Sequence, residues 1–355
     1  MQIHRTACHK IRTLVVDDSI FFRTFLERSF LDHPHIEIVG TAADAFEAEK
    51  KLATIIPDVI TLDMEMPGMR GPEFLCKILP RYPQIKVVVI SSIPQNVFEA
   101  LHAGAVDFIA KPDSIFGDKQ APFIEEVAAK IQIAYESSGV QPGAVTANPL
   151  TVDVPARMTM DTEAVIAIGA STGGTEAIAT VLRELPETAP GVVIVQHMPP
   201  VFTAMFAERL DKIARIEVRE AVEGDRLRPG LALLAMGDKQ MTLCRDRQGY
   251  YIHYVGSHKV SGHCPSVDVL FASVAQVAKD RAMGIILTGM GADGARGLLD
   301  MRQAGAYTVG QNEATCVVYG MPMAAYKKGA VVSQLPLEAI GSDVVRWASV
   351  DTVNS

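Results

Sequence analysis

Short apolar runs alternate with helix-length stretches along most of this chain, in two separate blocks. In the first block the runs fall at 14–16, 36–39, 59–62, 87–90 and 108–110, each rich in β-branched residues and bounded by polar or turn residues. Stretches with helical spacing, such as 20–31 and 43–55, separate them, and 123–135 closes the block. Strands that are apolar throughout, rather than alternating, belong in a sheet covered on both faces, and strand–helix alternation makes that sheet parallel. In the second block the runs are 164–168, 192–195, 231–234, 284–287 and 307–309. Within it, 231–235, 241–243 and 250–255 follow one another closely, with Gly249 between the last two, and read as an antiparallel meander.

Between the blocks the chain changes character. Residues 136–161 carry Ser137, Ser138, Gly139, Pro142, Gly143, Asn148, Pro149 and Pro155 with little periodicity, which is linker composition. A length of 355 residues leaves room for two or three domains. The expected division is an N-terminal extension over 1–10, a first domain over 11–135, a linker over 136–160 and a second domain over 161–355.

Composition narrows the function. A formal net charge of −8 without a Lys/Arg block argues against nucleic acid as a partner. The five cysteines are odd in number and not closely spaced, which fits reduced thiols rather than a disulfide framework or a zinc site. No apolar run approaches the roughly 20 residues of a spanning helix. Residues 1–10 lack the apolar core of a signal peptide, so a cytoplasmic location is expected.

In an open parallel sheet, ligands sit beyond the carboxyl ends of the strands. In the first block, the first run ends in Asp17 and Asp18, and the third in Asp63, followed by Glu65, Met66 and Pro67. The fourth ends in Ser91 and Ser92, and the fifth in Lys111 and Pro112. Carboxylates converging on one rim repel and call for a cation, and hard oxygen ligands with open water positions suit Mg2+. A metal-bound carboxylate facing a lysine can act as nucleophile toward a phosphoryl group. The competing reading takes these acids as helix caps, since Asp after a strand commonly caps the next helix.

The second block offers different chemistry. Gly169, Ala170, Ser171, Thr172 and Gly173 follow a strand and precede a helix, in the spacing G-x-S-x-G that exposes a serine on a sharp turn. Free main-chain N–H groups at the helix start can stabilise an oxyanion. Such a turn can also cradle a phosphate, so a nucleotide loop or regulated binding module stays open. Of the histidines, only His197 stands directly after a buried-type run. It is the candidate general base. His253 sits within an alternating run and reads as structural, whereas His258 and His263 flank a glycine-containing loop and are candidate substrate contacts. Asp293 follows the 284–287 run in a glycine-rich turn and is the candidate partner that fixes the imidazole tautomer. Thr172 and Met290 are candidates for shaping the oxyanion site. The order Ser, His, Asp differs from that of α/β-hydrolases, so the motif does not imply that fold.

The first block resembles the receiver domain of bacterial response regulators. The resemblance rests on Val16-Asp17-Asp18-Ser19, Leu62-Asp63, Met66-Pro67-Gly68, Ser91 and Lys111-Pro112. It implies a flavodoxin-like five-stranded parallel sheet with Asp63 as phosphoacceptor. Asp17, Asp18, Asp63 and the Glu65 carbonyl would hold Mg2+; Ser91 would be the switch hydroxyl, Phe108 the switch aromatic and Lys111 the phosphoryl contact. The second block resembles the catalytic domain of the chemotaxis protein-glutamate methylesterases. The segments concerned are 168–174, 196–200 with Phe202 and Thr203, His263 with Pro265 to Asp268, 287–294 and 313–322.

This pairing implies a doubly wound α/β catalytic domain with a small antiparallel hairpin region and no cofactor of its own. It implies hydrolysis of glutamate methyl esters on the cytoplasmic helices of methylated chemoreceptors, releasing methanol, and deamidation of receptor glutamines in some members. Activation would come from the chemotaxis histidine kinase, with relief of inhibition in cis, and contact with the membrane only through receptors. Ser171 would be the nucleophile, His197 the base and Asp293 its partner. The chain departs from the pattern at Arg70 and Asn312, where an acid is expected, at Cys264, where a base is expected, and in a stretch from Ser91 to Gly104 about one helical turn short.

Overall fold

A computed structural model describes residues 10–112, 117–138 and 159–350. The chain divides into two compact units, Met1–Ala144 and Val145–Ser355. The boundary falls inside the stretch read as a linker, most of which lies outside the described residues, as does nearly all of the 1–10 extension.

In the first unit, β1 (Ile11–Val16), β2 (Ile36–Ala42), β3 (Val59–Asp63), β4 (Lys86–Ser91) and β5 (Asp107–Ala110) form one sheet in the order β2-β1-β3-β4-β5. Every pairing is parallel. That order is the flavodoxin-like one, whose switch point lies between β1 and β3. The helices are α1 (Ile20–Phe30), α2 (Ala45–Leu52), α3 (Gly71–Ile78), α4 (Pro94–His102) and α5 (Gln120–Glu136). Local signals start two of them: Ser19 Oγ accepts from Phe22 N ahead of α1, and Asp44 Oδ1 accepts from Glu47 N ahead of α2. The shortened stretch after Ser91 still forms a nine-residue helix, started by a proline in its first turn.

The second unit opens with β6 (Thr159–Met160), followed by β7 (Val165–Ala170), α6 (Gly174–Glu184), β8 (Gly191–Gln196), α7 (Phe202–Ile213), β9 (Glu217–Glu220), β10 (Leu231–Leu234), β11 (Met241–Asp246) and β12 (Gly249–Tyr254). Then come α8 (Val267–Val277), β13 (Ala282–Ile286), α9 (Ala295–Gln303), β14 (Tyr307–Gln311), α10 (Met321–Lys327), β15 (Ser333–Leu335), α11 (Leu337–Ala348) and β16 (Ser349–Val350). Seven strands form one sheet in the order β15-β14-β13-β7-β8-β10-β9, parallel throughout. Strands β7, β8 and β13 are buried at every position, as a sheet covered on both faces requires. Two small antiparallel pairs, β11–β12 and β16–β6, complete the unit.

The meander reading of 231–255 is corrected in part. Only β11 and β12 pair antiparallel, whereas β10 lies in the main sheet between β8 and β9. All four β10 residues are buried, so nothing in their own pattern separates a central parallel strand from the start of a hairpin. Among the described residues, no helix is long and apolar enough to cross a membrane.

Candidate active site

Strands β13, β7 and β8 are neighbours in the sheet, and the three candidate residues follow their carboxyl ends. Ser171 comes directly after β7, half-buried, with its N–H donating to Thr288 O at 3.0 Å. His197 comes directly after β8, and its N–H donates to Ala170 O at 3.1 Å, tying it to the residue before Ser171. Asp293 stands in the loop after β13 and is 2 % exposed.

The carboxylate of Asp293 is densely solvated by protein. Its Oδ2 lies 2.8 Å from His197 Nε2 and accepts from Val267 N at 2.8 Å. Its Oδ1 accepts from Ser266 Oγ at 2.8 Å, and from Asp268 N and Gly294 N at 3.1 Å each. Burial pushes this carboxyl up, but the His197 bond and charge and the Ser266 and Val267 donors outweigh it and hold the group below the usual carboxylate range. An ionised carboxylate only accepts, so His197 Nε2 carries the ring proton and Nδ1 presents a lone pair. That Nδ1 is buried and has no hydrogen-bond partner among the described residues. The arrangement is a base whose proton-accepting atom is kept unsatisfied.

The other candidates fall around this centre. Met290 is exposed and Thr172 is buried, with its carbonyl accepting from Thr288 Oγ1 at 3.0 Å. His263 lies face to face with His197, ring centroids 3.7 Å apart and planes within 7°. His253 is exposed and pairs with Glu223 at 2.7 Å on the β11–β12 hairpin. Asn312, one of the departures, caps the short helical turn Glu313–Thr315, accepting from Thr315 N at 3.2 Å.

Sequence reading overlooks Gln196. It is 3 % exposed, and its Nε2 donates to Ser171 O at 2.8 Å and to His197 O at 3.3 Å. One carboxamide thus spans the turns carrying nucleophile and base. A buried polar residue at the end of a fully apolar strand is the signal that marks it. The clamp explains Gly174: a Cβ there would stand 2.1 Å from Gln196 Oε1 and 2.6 Å from Ala170 Cβ, which β7 holds in place. Gly174→Ala is expected to displace the carboxamide, lower stability by about 1–3 kcal/mol and slow labelling of Ser171 by a fluorophosphonate. Thermal unfolding and labelling kinetics on the same sample check both.

The first unit has its own cluster, at the rim beyond β1, β3 and β5. Carboxylate oxygens of Asp17, Asp18 and Asp63 lie within 4.8 Å of one another. Lys111 Nζ bonds Asp17 Oδ2 at 2.7 Å and Asp63 Oδ2 at 3.0 Å, over the Phe22 ring. Burial would lower the Lys111 ammonium, yet its bonds to Asp17 and the two nearby carboxylates hold it above its ordinary value. Asp17 does not show the matching depression: burial, against the pull of Lys111, pushes its carboxyl up to about 6. The two directions are compatible because one ammonium is shared between two buried carboxylates, leaving the cluster short of positive charge. Ser91 is buried and its hydroxyl is turned to the Ile93 backbone, while Phe108 is 7 % exposed and Glu65 is exposed. Arg70 pairs with Glu73 at 3.3 Å and with Glu99 on α4 at 3.7 Å.

The profile described as CheB methylesterase matches residues 166–344, and that described as response regulator receiver domain matches residues 13–115. The chain is 50 % identical over 332 residues to a protein-glutamate methylesterase/protein-glutamine glutaminase 2 of Syntrophomonas wolfei, covering 94 % of this chain and 96 % of that one. This chain belongs to the CheB methylesterase family. A relative of the same name from Pseudomonas aeruginosa is 46 % identical over 343 residues, covering 96 % of this chain and 97 % of that one. The solved Thermotoga maritima CheB methylesterase catalytic domain superposes with a TM-score of 0.51 at 31 % identity, covering 53 % of this chain and 100 % of that one. CheB membership accounts for a receiver unit and a doubly wound catalytic unit on one chain.

Proposed function

We propose that this chain hydrolyses glutamate methyl esters on the cytoplasmic helices of chemoreceptors, that it deamidates receptor glutamines, and that phosphorylation of Asp63 raises its activity. The receiver spans 11–135 and the catalytic domain 161–355, joined by the linker 136–160, and the protein acts in the cytoplasm. The observation carrying the catalytic reading is the 2.8 Å contact between His197 Nε2 and an ionised Asp293, next to the turn that bears Ser171.

In this mechanism Ser171 Oγ attacks the ester carbonyl while His197 Nδ1 takes its proton. The carbonyl π pair moves to oxygen, and main-chain donors around Thr172 and Met290 stabilise that charge. The tetrahedral adduct collapses, and methanol leaves with the proton returned by His197. Water then attacks the acyl-enzyme with His197 again as base, freeing the glutamate and restoring Ser171. Asp293 stays ionised and stabilises the imidazolium. A receptor glutamine follows the same steps with ammonia as the leaving group.

In the receiver, Asp63 accepts a phosphoryl group from the chemotaxis histidine kinase and Lys111 contacts its oxygens. Ser91 and Phe108 relay the change. Asp17, Asp18 and Asp63 with the Glu65 carbonyl would hold Mg2+, for which three clustered carboxylates facing a single ammonium are a suited hard donor set. Mg2+ would supply positive charge against the phosphoryl oxygens.

The test measures methanol from a methylated receptor fragment with and without acetyl phosphate and Mg2+. Wild type is expected to be stimulated, Ser171→Ala to release none, and Asp63→Ala to keep its basal rate without stimulation. Methanol from Ser171→Ala would falsify the hydrolase reading, and equal stimulation of Asp63→Ala would remove the switch.

A further inference from the structure

No proton or bond in the Ser171, His197 and Asp293 chemistry passes through His263, which stacks on the His197 ring. Its placement is nevertheless built with care. Ser261 and Gly262 both adopt left-handed backbone, φ 52° and 86°, and reverse the chain in a two-residue turn. Val260 and His263 exchange reciprocal main-chain bonds of 2.9 Å across it. Gln240, fully buried, donates through Nε2 to His258 O at 2.9 Å and His263 O at 3.0 Å, and accepts at Oε1 from Ser266 N at 2.8 Å. The same segment then supplies Ser266 Oγ, Val267 N and Asp268 N to Asp293. One short stretch of chain thus holds the orienting carboxylate at the edge of the His197 ring and a flat ring against its face.

The torsion that sets an imidazole's plane is broad, without the narrow staggered wells of an sp3 bond. The Asp293 bond fixes one edge of the His197 ring and leaves rotation about that torsion soft. Among the described residues, Nδ1 has no hydrogen bond to resist it. A parallel ring stacked at 3.7 Å does resist it, by steric and dispersion contact over the face. We propose that His263 is a positioning residue for the reaction: its flat face, not its nitrogens, sets the plane of His197 and with it the direction of the Nδ1 lone pair that is to take the serine proton. This rests on the Ser171, His197 and Asp293 reading above.

The experiment compares His263→Ala, His263→Leu and His263→Phe in the full-length protein. Two readouts are the kcat and KM of methanol release and the second-order rate of fluorophosphonate labelling, which reports nucleophile activation without a receptor substrate. Loss of ring positioning is expected to lower kcat and labelling roughly 10- to 100-fold in Ala and Leu, with KM within about threefold, because small misplacements of a catalytic group cost rate rather than binding. Phe restores the flat face and is expected within about threefold of wild type. Should the Ala variant fail to fold, Leu against Phe decides, since both fill the space and only one is planar. Unchanged rates in Ala or Leu overturn the proposal. So does a Phe variant as slow as Leu, which would assign the role to the imidazole nitrogens. A wild type that neither labels nor releases methanol would instead remove the function on which this rests.

Discussion

Asp293→Asn is expected to lower kcat for methyl ester hydrolysis by about 10⁴-fold, the scale seen when the orienting carboxylate of a serine hydrolase becomes an amide. The geometry explains why the change is severe here. Oδ1 faces three donors and Oδ2 faces Val267 N and His197 Nε2. An amide that keeps its oxygen toward the three donors points its NH2 at Val267 N–H and at the imidazole. His197 must then offer Nε2 as acceptor, which places the ring proton on Nδ1 and abolishes the base. The opposite orientation sets the NH2 against three donors. Either way a buried N–H is left unpaired, at about 1–3 kcal/mol. The expected result is therefore near-total loss of methanol release and of fluorophosphonate labelling, together with a lower midpoint of thermal unfolding. The pH response carries a sign. Because the Asp293 carboxyl titrates below its ordinary value, its contribution to stability is complete above the usual carboxylate range and is lost as pH falls through its own lower pKa. Asn at this position removes that acid-side loss.

Lys111→Met is expected to destabilise the receiver unit by about 3–5 kcal/mol, the cost of breaking a buried ion pair by deleting one partner. Methionine keeps much of the aliphatic length over Phe22 and removes only the charge that Asp17 and Asp63 share. A divalent cation can substitute for it. Mg2+ should raise the unfolding temperature of the variant by more than that of the wild type, since a ligand stabilises in proportion to its differential binding to the native state. Without metal, the Asp17 carboxyl holds its proton up to about 6, so wild-type stability falls as pH rises from the ordinary aspartate range through that value. Losing Lys111 extends the fall to higher pH, so the gap between variant and wild type should widen between pH 5 and 8. Thermal melts across that range, with and without Mg2+, decide it. A variant as stable as wild type at pH 8 would mean that the ion pair contributes little.

Several of these positions are legible in the sequence for one reason. In a parallel sheet every strand points its carboxyl end at the same rim, so a reactive residue directly after an apolar run has its location fixed in advance. Asp17, Asp63, Lys111, Ser171 and His197 all stand at or directly after such runs. Asp293 is harder, because the loop after β13 runs on for several residues; the glycines around it only mark a turn. The contacts between loops have no linear signature. The His263 ring meets His197 from 66 positions away in sequence, through a turn whose geometry depends on Gln240. Gln196 is visible as an oddly polar strand end, but not the two carbonyls that it spans. Strand β9, with Glu217, Arg219 and Glu220 among its four residues, carries too much charge to be read as a strand at all. With β9 unmarked in the sequence, its neighbour β10 reads as the start of a meander.

That charged strand has a bearing on the molecule beyond its own chemistry. An open sheet leaves two unpaired borders, and a long apolar border is a template for the next chain. Here β9 forms one border, with Arg219 paired to Asp225 and Glu217 bonded to Arg228. The opposite border, β15, is only three residues long. Neither offers a flat apolar ladder for a second copy to extend, so the seven-stranded sheet resists growing edge to edge when copies crowd together.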